Sequence, residues 1–115
     1  MILPSNYVNF TSIKGIPLST INPGSQEIAL PRDATIEALR MLKDSPIAVI
    51  GGDVLKLSGG LLTYTYENWF CNKKEGELAS QYACRCLQYS MEYVMNFDSK
   101  GAFDPLFVFV LTDIS

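Results

Sequence analysis

The chain has 115 residues, 48% of them hydrophobic and 18% charged, with a formal net charge of −3. This is enough apolar side chain for one core and one domain over residues 1–115, and too much for a disordered chain. Histidine is absent, which excludes Ser-His-Asp and Cys-His catalysis and every histidine-bearing metal site.

The acidity lies in the second half. Residues 1–60 carry five basic and five acidic side chains, and residues 61–115 carry four and seven. A mild negative field disfavours nucleic acid, which requires clustered Lys and Arg, and suits a basic protein partner. No run approaches the ~20 apolar residues of a membrane span, and the start MILPSNYVNF lacks the basic opening of a signal peptide. Cys71, Cys84 and Cys86 are an odd number with no C-x-x-C spacing. They read as reduced thiols in a cytoplasmic protein and are poorly placed for a shared metal site.

In chain order, residues 1–15 fit either a short helix, from Tyr7, Phe10 and Ile13, or a strand, from their aromatic and β-branched content. Residues 16–30, with Pro17, Pro23 and Gly24, read as mostly irregular. A helix is expected from Pro31 to Lys43, with proline at its first position and Ile36, Leu39 and Leu42 as its apolar stripe. Ile47 to Ile50 reads as a central strand, interrupted by Gly51-Gly52-Asp53. Val54–Leu57 and Leu61–Tyr66 then form a hairpin through Ser58-Gly59-Gly60. A long helix follows over about Glu77 to Phe97, carrying Tyr82, Tyr89 and Tyr93. The apolar run Leu106–Leu111 is a strand. The order is irregular–α–β–β–β–α–β, an α+β fold: a small, mainly antiparallel sheet with two main helices packed on one face.

Three groups of residues could carry chemistry. Gly51 and Gly52 permit a kink or close approach of another group, a structural role. Asp53 beside them could cap a turn, meet a partner's base or act as a catalytic carboxylate. The segment Thr63 to Phe70 holds four aromatics in eight residues. Such side chains serve equally as interface anchors or as core, and Trp69, the only tryptophan, fits a plug beneath the hairpin. Asp53 and Glu67 could also meet across the sheet as the acid–base pair of a hydrolase.

The run I-A-V-I-G-G-D-V at 47–54, the hairpin segment T-Y-E-N-W-F-C at 65–71, the loop Lys74 to Glu77, the tyrosine-bearing helix and the last apolar strand together resemble the immunity protein 40 family of bacterial polymorphic toxin systems. The resemblance implies a cytoplasmic antidote that binds a cognate toxin domain stoichiometrically, uses no cofactor, catalyses nothing and needs neither nucleic acid nor membrane. If the contact follows the shared motifs, it involves Asp53, Tyr66, Glu67, Asn68 and Trp69. Asp53 and Glu67 would pair with basic toxin residues, and Tyr66 and Trp69 would be aromatic anchors. If those motifs only build the hairpin, the contact falls on loops such as Lys73 to Glu77. A general adaptor domain and a carboxylate hydrolase are the alternatives, and exposed aromatics are also compatible with a homodimer.

Overall fold

The computed structural model describes residues 1–114. Its elements are α1 (Ser5–Lys14), β1 (Ile16–Pro17), a 3₁₀ turn (Leu18–Thr20), β2 (Ile28–Pro31), α2 (Arg32–Met41), β3 (Ile47–Ser58), β4 (Leu61–Phe70), α3 (Ala79–Asn96) and β5 (Leu106–Asp113). All strand pairings are antiparallel, in the order β1-β2-β5-β3-β4. The fold is α+β, as the alternation of periodicities implies.

The two faces of the sheet are covered differently. One face carries Leu30, Ile47, Val49, Val54, Trp69, Phe107 and Phe109, and all three helices pack on it through Tyr7, Leu39, Leu42 and Val94. The other face has a smaller apolar layer of Ala29, Leu55, Leu62, Leu106 and Val108, capped by Leu18 and Ile21 from the chain around the 3₁₀ turn. β5 alternates between the two layers, which is why its run is apolar throughout.

Of the two alternatives for residues 1–15 the helix forms, as α1, and its Tyr7 and Phe10 join the main core. Three other expectations need correction. Residues 16–30 are not simply irregular, because β1 and β2 pair through Ile16↔Ala29 and Pro17↔Ile28. Pro31 stands one residue before α2 in extended backbone, and the buried Thr35 hydroxyl donates to the carbonyls of Leu30 and Pro31 at the helix start. β3 is one continuous strand through both glycines, and β4 extends to Phe70.

Gly59 and Gly60 turn the β3–β4 hairpin, both at positive φ as a two-residue type I′ turn requires. Gly51 and Gly52 serve a different purpose. Gly52 pairs with Trp69 across the strands, and a Cβ on it would lie 2.3 Å from the indole Cη2 and 2.4 Å from the Val108 carbonyl oxygen. A Cβ on Gly51 would lie 2.4 Å from the Trp69 carbonyl oxygen. The glycines therefore make room for tryptophan without breaking the strand.

Backbone cannot yield as a flexible side chain does. Gly52→Ala is expected to lower stability by about 3 kcal/mol, read as a shift in urea midpoint with an unchanged m-value. A loss below the noise of that titration would mean that the indole moves freely, contrary to its packing.

Candidate functional site

Hairpin register defines the site. Gly51, Gly52 and Asp53 oppose Phe70, Trp69 and Asn68, and pairing resumes at Leu55↔Tyr64. β3 advances two residues over a span where β4 advances four, so Thr65–Glu67 bulge from the outer edge of the sheet. Side chains hold the bulge. The Thr65 hydroxyl donates to the Val54 carbonyl (2.8 Å) and accepts from the Glu67 amide (3.2 Å), while Asn68 Nδ2 donates to the Tyr66 carbonyl (3.2 Å).

Tyr66 sits at the apex with φ 69° and is 88% exposed. Left-handed backbone is costly for an aromatic L-residue, and burial here returns almost nothing. A glycine would serve the turn better; the tyrosine ring is presented to solvent.

Trp69, one of the sequence-derived anchors, presents no surface. It is 4% exposed, its Nε1 donates to the Ser90 hydroxyl (2.9 Å), and it stacks on Tyr93 at 4.6 Å between ring centroids. This burial fits the plug reading and leaves little of the indole for a partner to touch.

Asp53 and Glu67 do not face each other. Asp53 opposes Asn68, so its side chain shares the face away from the helices with Tyr64. Glu67, one position from Asn68, acts electrostatically on Tyr93 of α3, on the helix side. These two residues therefore do not form the facing pair that the hydrolase alternative asked of them.

The carboxylate that feels the Asp53 charge is Glu27, just before β2 on the far side of β5, which local sequence could not bring into view. Burial raises the Asp53 carboxyl above its ordinary range. Glu27 is raised by burial and then by the Asp53 charge. The Tyr64 hydroxyl is raised by burial, then by Asp53 and Glu27. No ion pair among the described residues neutralises Asp53 or Glu27. Around them the uncovered part of this face exposes Phe70 (55%), Val110 (38%) and Tyr64 (36%). Phe70 and Val110 flank Gly51 on its two neighbouring strands. The result is an apolar strip with an uncompensated acidic centre, bordered by the Tyr66 bulge.

A second concavity, about 680 Å³, lies between α1 and β5 and is lined by Tyr7, Val8, Glu27, Phe109 and Val110 among others. β2 pairs with β5 only at Leu106 and Phe107, so the rest of that β5 edge opens into this groove. No group of three or more His, Cys, Asp or Glu among the described residues could hold a metal ion, and no helix there is long and apolar enough to cross a membrane.

The model of the family described as immunity protein 40 matches residues 17–111. This chain belongs to the immunity protein 40 family. The matched span covers β2 to α3 whole and the candidate surface, takes in Pro17 of β1 and β5 as far as Leu111, and leaves out α1. No curated protein and no solved structure matches the chain.

The loop after β4 is also fixed in place. Arg85 grips the Glu77 carboxylate with two hydrogen bonds, Nε–Oε2 at 2.8 Å and Nη2–Oε1 at 2.9 Å, and donates to the Asn72 carbonyl (2.6 Å). Glu77 Oε1 accepts the Lys74 amide as well (3.0 Å). These bonds pull the Glu77 carboxyl down to about 2. A lowered carboxyl pKa stabilises the fold above the unfolded value near 4.5 and loses that effect as pH falls through about 2. Acid titration followed by NMR at the Glu77 carboxyl carbon should therefore show a midpoint near 2, and Arg85→Ala should return it to the ordinary glutamate range. An ordinary midpoint in the unmodified protein would rule out the grip in solution.

Proposed function

We propose that this chain is an antidote that binds one cognate toxin domain stoichiometrically, in the cytoplasm of a bacterium carrying a polymorphic toxin system. Family membership over residues 17–111 carries the reading. The antidote acts by occupying the toxin, without catalysis or cofactor. Its contact surface is the bulged edge of β4 with the uncovered sheet face: Asp53, Tyr66, Glu67 and Asn68, joined by Glu27, Tyr64 and Phe70.

Physical chemistry supports that surface. Tyr66 is an exposed aromatic on a strained backbone, a combination found where strain serves recognition. Asp53 is partly buried and Glu27 feels its charge, with no ion pair to either, so a partner's lysine or arginine near them would relieve their repulsion. Trp69, Gly51 and Gly52 act by holding the hairpin in shape.

The deciding experiment co-expresses the toxin domain encoded by the neighbouring gene with and without this protein. Restored growth is expected. Toxicity that persists despite soluble antidote would refute the pairing.

Variants separate surface from fold. Tyr66→Gly relieves the left-handed strain, so stability is expected to stay level or rise by up to about 1 kcal/mol. The same change should weaken toxin binding by about 2 kcal/mol, roughly thirty-fold in Kd. Asp53→Asn should likewise weaken binding while stabilising the free protein slightly at neutral pH, because a raised carboxyl pKa disfavours the folded state above it. Full toxin affinity in both variants, measured by calorimetry, would move the contact elsewhere.

A further inference from the structure

Cys71 follows the last residue of β4, and Cys86 lies in the second turn of α3; both are buried, while Cys84 is exposed on the same helix. The helix turns Cys86 inward over the strand end, where its Sγ lies 3.7 Å from the Cys71 carbonyl oxygen. The Cys71 side chain also acts electrostatically on the Cys86 thiol. Arg85 Nη1 lies 3.1 Å from Cys71 Sγ, the kind of cationic neighbour that nucleophilic cysteines have. No such cation bonds to Cys86, and burial raises that thiol above its ordinary range.

We propose that Cys71 and Cys86 are a reversible dithiol that closes to an intramolecular disulfide on reaction with a small disulfide oxidant such as oxidised glutathione. The geometry assigns the roles. Cys71 loses its proton and attacks one sulfur of oxidised glutathione, expelling one glutathione thiolate and leaving a mixed disulfide. Cys86 then loses its proton and attacks the Cys71 sulfur, expelling the second glutathione. Two thiols are oxidised to one disulfide, and one molecule of oxidised glutathione is reduced to two of glutathione. The oxidant enters beside residues 72–76, which follow Cys71 directly and are exposed. The bridge ties the end of the edge strand to α3 across a short loop, and that loop has fewer unfolded conformations once closed.

The test uses Cys84→Ser, a change at an exposed position that leaves only the two buried thiols. The folded protein is incubated with excess oxidised glutathione, quenched in acid, denatured and alkylated. The expected product is a monomer lighter by two hydrogens, with no alkylated cysteine and one proteolytic fragment pair joined through Cys71 and Cys86. Its melting temperature should rise by roughly 5–15 °C and fall back on addition of dithiothreitol. Adding Cys86→Ser should stop the reaction at a glutathione adduct on Cys71. Two alkylatable thiols after incubation, a stable glutathione adduct in the Cys84→Ser protein, or linkage only between molecules would each overturn the proposal.

Discussion

Everything in this fold turns on the placement of one indole ring. Trp69 enters the helix-side core from the edge strand, and it fits because the residue opposite has no side chain. Its N–H cannot be left unbonded in an apolar layer. Ser90 answers it from α3, donating in turn to the Val49 carbonyl on β3 at 3.4 Å. Tyr93 lies flat against the ring, and Phe107 of β5 meets it nearly edge-on at 6.3 Å. One side chain thus joins β4 to β3, β5 and α3, and Phe97 and Phe103 extend the aromatic layer beyond it.

That inward commitment leaves the neighbouring residues free to face outward. In a regular strand Tyr66 and Asn68 would share one face, and Thr65, Glu67 and Trp69 the other. The bulge relaxes this constraint and turns Tyr66 into solvent while Trp69 stays in the core. The same five-residue stretch therefore does two jobs that ordinarily compete. Its buried end makes the hairpin rigid, and its strained end offers a side chain whose position that rigidity fixes. Preorganisation of this kind lowers the entropy lost on association.

Much of the architecture was legible because it is periodic. The stripe Leu39, Leu42 on α2, the long helix α3 and the apolar run of β5 declare themselves over several turns or residues. The two- and four-residue strands β1 and β2 do not, since a pattern needs more length than they have and prolines dominate their surroundings. Gly51 and Gly52 suggested a break because glycine's steric consequence lies in what stands opposite, and Trp69 is seventeen positions away. The acidic couple of Glu27 and Asp53 was hidden for the same reason. It arises because β2 and β3 both flank β5 in the sheet, an order that no local pattern states. Tyr66, by contrast, was visible as a candidate, although its backbone strain was not.

The position of β5 also bears on how the molecule folds. β3 and β4 are joined by two residues and can zip together early, as local hairpins do. β5 must travel back from the far side of α3 to lie between β2 and β3, with Ile47 meeting Asp113 at the limit of their ladder. Closing so long a stretch of chain is slow relative to local pairing. Until it closes, the early hairpin has no neighbour on its inner edge, and the Trp69 ring lacks Phe107. Folding is accordingly expected to be all-or-none and limited by this last insertion. The surface displayed by β3 and β4 then becomes rigid in the same step that completes the core.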